Sequence, residues 1–244
     1  MLTGAMEEIT LYPHQRQAVN DLHAKNGISW VAAKVGAGKT IIAIQYINEL
    51  QAHSDTCESI LVFCPKSIIS QWKSEIQKFA LIPAQWHVTN YEKLLDDTFM
   101  KSLLGNMPDA IIADESTKIK SGSGKISKRF QKLQSRYKIA LAENILPNAL
   151  MEMYAPCNWF APTSLGSSFW AFKQRFCIFN PYIQQQVIGY RDEDKLLAYL
   201  DKFTVRVNWD GKDELPEATR EVIRVQMTDE EKKDNSEFYI NKGY

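Results

Sequence analysis

No apolar run in the 244 residues approaches the roughly 18 that a membrane-spanning helix requires, and no basic segment followed by an apolar one opens the chain as a secretory leader would. The expectation is an intracellular protein with no membrane among its partners. Excess charge of either sign is also missing: 29 Lys and Arg balance 29 Asp and Glu, so affinity for a polyanion has to come from local clustering. The four cysteines, Cys57, Cys64, Cys157 and Cys177, lack metal-ligand spacing and read as reduced, buried thiols. Hydrophobic residues at 45% and charged residues at 24% exclude a disordered chain and supply a full core.

The segment Val31 to Ile44, VAAKVGAGKTIIAI, carries the strongest local signal. Ala33, Gly36, Gly38, Lys39 and Thr40 fit the phosphate-loop pattern with Ala in place of the first Gly, between a strand-like and a helix-like run. A chance match in a chain of this length has a probability on the order of a few per cent. Small residues let such a loop fold back so that its N–H groups face a triphosphate, with the dipole of the next helix adding positive potential. Lys34, Val35 and Ala37 complete the loop. Lys39 is expected to reach the β and γ phosphates of ATP, and Thr40 to hold Mg2+.

Taken in order, Leu11 to Leu22 reads as a helix started by a Pro, with Gln15 just inside it. A lone Gln is a surface residue by default. About twenty residues ahead of a phosphate loop, its amide offers the donor and acceptor that an adenine edge needs. Gly27 to Ala33 and Glu58 to Cys64 are continuous apolar strands, each followed by a helix, Thr40 to Leu50 and then Ile68 to Phe79. Unbroken apolar strands alternating with helices imply an α/β fold with a mostly parallel sheet covered on both faces. Lys66 and Ser67 lie where the second strand meets its helix, a place suited to a phosphate backbone. Trp72 reads as core. Trp86 to Asn90 is a third short strand, and Asp109 to Glu115 a fourth ending in two carboxylates. Ligands bind at the carboxyl ends of parallel strands. Asp114 is therefore expected in the magnesium shell and Glu115 beside the attacking water.

Between Thr117 and Ala142 stand eight basic residues and no acidic one: Lys118, Lys120, Lys125, Lys128, Arg129, Lys132, Arg136 and Lys138. A solvated helix face competes with a nucleic-acid surface here, and proximity to the nucleotide segment favours the second. Tyr137 to Leu141 is a further strand. Beyond it the aromatics Trp159, Phe160, Phe169, Trp170, Phe172, Phe176 and Phe179 read as core of a small helical subdomain, and Gln184 to Tyr190 as a loop or hairpin tip. Thr219 to Met227 alternates like an edge strand.

In this order the segments resemble the first RecA-like lobe of the Swi/Snf-type ATPases, superfamily-two DNA translocases, over roughly residues 9 to 240. LYPHQ is similar to the family's adenine-reading motif, AKVGAGKT to its phosphate loop, ILVFCPKSIISQWKSEIQKF to its tracking-strand motif and VTNYEKL to the next. DESTKIK stands in place of the DEAH box, and LPNAL with LGSSFWAFKQRF resembles the helical protrusion. The resemblance implies a RecA-like P-loop NTPase lobe at 6–148, a helical protrusion at 149–214, and a return strand and linker at 215–244 leading to a second lobe. It also implies ATP contacts at Gln15, Gly36, Gly38, Lys39 and Thr40. Backbone contacts to double-stranded DNA are implied near Lys66, Ser67 and Tyr91. The setting is then the cytoplasm of a prokaryote or virus-infected cell, or a eukaryotic nucleus.

Three departures bear on these expectations. Ala33 replaces an acid, Ser116 and Thr117 replace the end of the DEAH box, and the L-T-G-T-P turn of motif III reads Leu141, Ala142, Glu143, Asn144 and Ile145. The family completes its site with arginines from a second RecA-like lobe, and the chain stops where that lobe is expected. An isolated lobe of this kind is expected to turn over ATP barely above background. A non-catalytic ATP or DNA module and an RNA helicase lobe are the alternatives.

Overall fold

The computed structural model describes residues 10–53, 57–143, 150–183 and 185–209, all within one compact unit. In chain order the strands are β1 Ile28–Ala32, β2 Ile60–Cys64, β3 Trp86–Asn90, β4 Ala110–Ala113, β5 Tyr137–Ala142, β6 Cys177–Phe179, β7 Val187–Tyr190 and β8 Thr204–Arg206. The helices are α1 Pro13–Ala24, α2 Lys39–His53, α3 Ile69–Phe79, α4 Asp97–Gly105, α5 Lys125–Phe130, α6 Tyr154–Phe160, α7 Phe169–Phe176 and α8 Glu193–Asp201. Six strands form one sheet in the order β3-β2-β4-β5-β1-β8, and every pairing is parallel. β6 and β7 form a separate antiparallel hairpin.

The parallel arrangement follows from the strand sequences. β2, β4 and β5 are buried at every position, which only a sheet covered on both faces allows. Alternate residues divide between two cores. Val31, Val62, Ile112, Ile139 and Leu141 meet α1, α2 and α3 through Leu22, Ile42, Ile47 and Trp72. Trp30, Phe63, Ala113 and Ala140 face the other way, against Phe130, Trp159, Phe160, Phe172, Leu196 and Leu200 of α5 to α8. The aromatics of the later helices are thus core residues, and the core they join is that of the sheet.

Helix ends are set by local chemistry. Pro13 opens α1, and the Gln15 side chain accepts from the Tyr12 N–H at 3.1 Å. The Asp96 carboxylate caps α4 by accepting from Thr98 and Phe99 N–H, and Ser168 caps α7. All three fully buried tryptophans donate their indole N–H: Trp30 to Ser116 Oγ, Trp72 to Asp114 Oδ2 and Trp159 to Leu133 O.

β8, next to β1, is a strand that the sequence pattern did not reveal, because three residues are too few to show a period. The edge strand expected at 219–227 and Asn144 and Ile145 of the motif III segment lie outside the described residues. The four cysteines are free and buried. Among the described residues no helix is long and apolar enough to cross a membrane.

Candidate nucleotide site

Between β1 and α2 the chain folds back through Ala33 to Gly38. Gly36 and Gly38 take φ values of +88° and +79°, where a side chain is strained. Gly38 has a second reason to lack one: a Cβ there would stand 2.3 Å from Gln15 Nε2. The first turn of α1 clamps this loop, since Gln15 Nε2 donates to Ala37 O at 3.3 Å and His14 Nε2 lies 3.3 Å from the same oxygen. Gln15 is buried, and with Oε1 on the Tyr12 N–H its amide keeps one N–H and one lone pair unused by these two bonds. Lys39 Nζ rests on two loop carbonyls, Ala33 O at 2.9 Å and Lys34 O at 3.4 Å. Thr40 follows in the first turn of α2, half-buried. Lys34, Val35 and Gly36 form the exposed crest, and Ala33 and Ala37 are buried beneath it.

The two carboxylates lie at the same edge of the sheet. β4 and β1 flank β5, so their ends stand about 10 Å apart at the usual strand spacing. Asp114 is 6% exposed. Its Oδ2 accepts from Trp72 Nε1 at 2.8 Å and its Oδ1 from Glu115 N at 2.9 Å, while its carbonyl accepts from the Tyr91 hydroxyl at 2.6 Å. Burial pushes the Asp114 carboxyl above the ordinary range, opposed by the Trp72 and Glu115 bonds and by the Lys39 charge. The Lys39 contribution places the loop lysine within electrostatic reach of this acid. Glu115 has φ +48° and ψ +51°, a left-handed conformation that turns its side chain away from the strand direction. Ser116 is fully buried against Trp30, so the residue replacing Ala in DEAH anchors the turn.

The side chains expected to serve magnesium, the Thr40 hydroxyl after β1 and the Asp114 and Glu115 carboxylates after β4, are all oxygen donors. Among the described residues no cluster of three His, Cys, Asp or Glu forms a metal cage. That donor set fits magnesium, which takes one or two carboxylates plus substrate phosphates and water in place of a full protein cage.

The residues expected to meet nucleic acid are sorted differently by the structure. Lys66 and Ser67 are exposed in a short 3₁₀ turn after β2, and Lys118 is exposed after Glu115. Tyr91 is only 1% exposed, with its hydroxyl committed to Asp114, so it positions the acid and has no surface for a phosphate. Lys120 is likewise buried, its ammonium 5.6 Å from the Trp30 ring centre and near Glu152. Arg129 donates to Leu94 O and Asp97 Oδ1, and Lys138 to Gln134, Trp159 O and Phe160 O. Five of the eight basic residues, Lys118, Lys125, Lys128, Lys132 and Arg136, therefore make the exposed patch.

Two contributors were not visible in the sequence reading. Trp72 reads as core in the sequence and is buried, and its indole nitrogen also holds Asp114. Trp209, after β8, brings its six-membered ring to 3.1 Å from where a Gly36 Cβ would stand. Its ring lies 6.0 Å from that of His14, which stacks on Tyr12 at 5.9 Å, so an aromatic row crosses the loop.

A glycine loop between the first strand and helix, an acid pair at the end of a strand one removed, and this strand order together define a RecA-like P-loop lobe. The chain belongs to the SNF2-related domain family, whose family model matches residues 85–242. The model described as "Type III restriction enzyme, res subunit" matches residues 8–144. Switch 2 of Arabidopsis thaliana is 26% identical over 189 residues, which cover 64% of this chain and 22% of the plant protein. An uncharacterized ATP-dependent helicase of Bacillus subtilis, YqhH, is 28% identical over 175 residues, covering 66% of this chain and 31% of its own length. The Saccharomyces cerevisiae DNA repair and recombination protein RDH54 is 25% identical over 193 residues, covering 61% and 21%. The Sulfolobus solfataricus SWI2/SNF2 ATPase core solved with double-stranded DNA superposes with a TM-score of 0.66 at 24% identity, over 81% of this chain and 44% of that one. The chain thus spans under a third of these curated relatives and less than half of the solved core.

Proposed function

We propose that this chain is the ATP-binding lobe of a Swi/Snf-like ATPase that tracks along double-stranded DNA. The observation that carries the reading is the glycine loop clamped by Gln15 after β1, at the same edge of the parallel sheet where β4 runs into Asp114 and Glu115. Gln15 reads the adenine edge with its remaining N–H and lone pair. Backbone N–H groups of the loop other than those of Ala33 and Ala37, which donate to Ala142 O and Lys34 O, receive the phosphates, and Lys39, resting on two carbonyls, is the cation the terminal phosphate draws. Thr40 and Asp114 would hold magnesium, which supplies charge neutralisation across the phosphates when bound. Glu115, set off the strand by its left-handed backbone, orients or deprotonates the attacking water. Lys66, Ser67 and Lys118 contact the DNA backbone. A second RecA-like lobe supplies arginines worth about 10³ to 10⁵ in rate, or roughly 4 to 7 kcal/mol of barrier, so the lobe alone is nearly inactive.

The test is ATP binding by the lobe and DNA-stimulated hydrolysis after a second lobe is supplied. Lys39→Ala should abolish both. An unchanged rate in Lys39→Ala refutes the nucleotide assignment. ATP binding without turnover in the two-lobed protein favours a non-catalytic module, and stimulation by RNA over duplex DNA refutes the choice of nucleic acid.

A further inference from the structure

β8 ends beside the strand that enters the phosphate loop. Val207 N donates to Ala32 O at 2.9 Å, and Ala32 is the last residue of β1. The chain leaving β8 is thereby pinned next to the chain starting the loop, and Trp209, two residues on, comes down on the loop's crest. Its ring atoms Cη2 and Cζ3 lie 3.1 and 3.4 Å from where a Gly36 Cβ would stand. Gly36 thus shares with Gly38 a double reason to lack a side chain, a positive φ and an occupant in the space beyond. At Gly38 that occupant is Gln15, so the proposed adenine reader and Trp209 rest against glycines two residues apart on one loop.

The first turn of α1 joins the two. His14, next to Gln15 in sequence, has its ring 6.0 Å from that of Trp209 at a tilt of 31°, and Tyr12 stacks on His14 at 5.9 Å with the planes 7° apart. Both separations are those of aromatic rings in contact. His14 Nε2 and Gln15 Nε2 each lie 3.3 Å from Ala37 O, which ties the row to the loop. Tyr12 is 51% exposed, and Val35 on the crest is 70% exposed.

Flat and apolar surface therefore borders a loop whose Lys39 and free N–H groups suit a charged ligand. A phosphate chain has no use for that surface. A nucleobase does, because stacking on an aromatic ring needs only a π face. Core packing accounts for Trp30, Trp72 and Trp159, which are at most 1% exposed. Trp209 differs from them: it is half-buried at the carboxyl edge of the parallel sheet, where ligands of such folds bind.

We infer that Trp209 is a base-contacting residue, the base of the bound nucleotide stacking on the row that Trp209 forms with His14 while its edge meets Gln15. The inference rests on the nucleotide reading above and adds the group that grips the face of the base. It is tested by isothermal titration calorimetry of the chain with magnesium ATP and with magnesium tripolyphosphate, which offers three linked phosphates and no base. Trp209→Ala should weaken ATP about tenfold, within the range for one base on one aromatic ring, and leave tripolyphosphate unchanged, which also shows that the variant is folded. Trp209→Phe should keep most of the ATP affinity, and Lys39→Ala should weaken both ligands. Equal weakening of both ligands by Trp209→Ala overturns the assignment, because the indole then only props the loop. Unchanged ATP affinity in that variant overturns it too, and raised affinity does so by making the ring a plug. In each of these cases, tripolyphosphate binding that still depends on Lys39 leaves the phosphate loop standing. Failure of the unaltered chain to bind either ligand refutes the nucleotide site itself, and the base contact with it.

Discussion

Replacing Trp72 by Phe tests how Asp114 is held. Trp72 is 1% exposed and its indole nitrogen lies 2.8 Å from Asp114 Oδ2. Losing a hydrogen bond to a charged acceptor costs about 1.5–3 kcal/mol, and the smaller ring leaves a void worth roughly 1–2 kcal/mol. The single variant should therefore lose about 3–5 kcal/mol, read as a fall in Tm on the order of 10 °C for a chain of this size. In an Asp114→Asn background only packing and a neutral hydrogen bond of about 1 kcal/mol are lost. Urea unfolding of the four proteins should thus give a coupling of about 1–2 kcal/mol. A coupling under about 0.5 kcal/mol refutes the argument that Trp72 stabilises the ionised acid. The Asp114 carboxyl, already above its ordinary range, should move further up in Trp72→Phe because one group favouring the ionised form is gone.

Asp114→Asn alone should be neutral or stabilising at pH 7. A carboxyl raised by burial holds its proton in the folded state where the unfolded chain has lost it, so stability falls as pH rises through that window and the charge is a cost above it. The same variant should lose magnesium-dependent ATP binding in calorimetry. Burial pulls the Lys138 ammonium from 10.5 down to about 8, against the pull of three oxygens at 2.7–2.9 Å. Between those values the unfolded chain binds the proton and the folded one does not, so stability should rise with pH by up to about 3 kcal/mol relative to Lys138→Met. A pH-independent difference in unfolding free energy refutes this. Gly38→Ala should cost about 1–2 kcal/mol through its positive φ and displace Gln15, lowering affinity for a fluorescent ATP analogue at least tenfold. Wild-type affinity would show that the clamp is dispensable.

Where residues recur with a period, the sequence was legible. Continuous apolar stretches at 60–64 and 110–113, and the run at 137–142 broken only by Lys138, specify buried strands, and the spacing of Trp72 and Ile76 specifies one side of α3. Glycines needing positive φ announced the loop. What could not be read was direction and depth. Lys120, Arg129 and Lys138 carry the same formal charge as Lys118, yet Arg129 and Lys138 reach buried acceptors and Lys120 lies over the Trp30 ring, and only tertiary packing decides this. The family resemblance implies a DNA contact near Tyr91, but its ring is buried, 5.7 Å from that of Phe63 and 6.0 Å from that of Phe130. β8 was hidden because its pairing with β1, from Trp30 opposite Thr204 to Ala32 opposite Arg206, is a long-range contact with no local signature.

The same bonds tie the two proposed activities together in space. Lys66 and Ser67 stand in the turn that runs directly into α3, and Trp72, in the first turn of that helix, donates to Asp114. Tyr91, immediately after β3, donates to the carbonyl of the same residue. If Lys66 and Ser67 grip a DNA backbone as proposed, any displacement of α3 has to stretch the Trp72 bond, carry Asp114 with it or open the core at Ile76. The last costs on the order of kilocalories for each buried side chain uncovered, and breaking the first strands a carboxylate at 6% exposure. Moving the acid with the helix works against the Asp114 N–H bond to Phe63 O at 2.8 Å and the Tyr91 bond to its carbonyl, so on the proposed reading strain from DNA is transmitted through Trp72 to the carboxyl end of β4, beside the proposed nucleotide site.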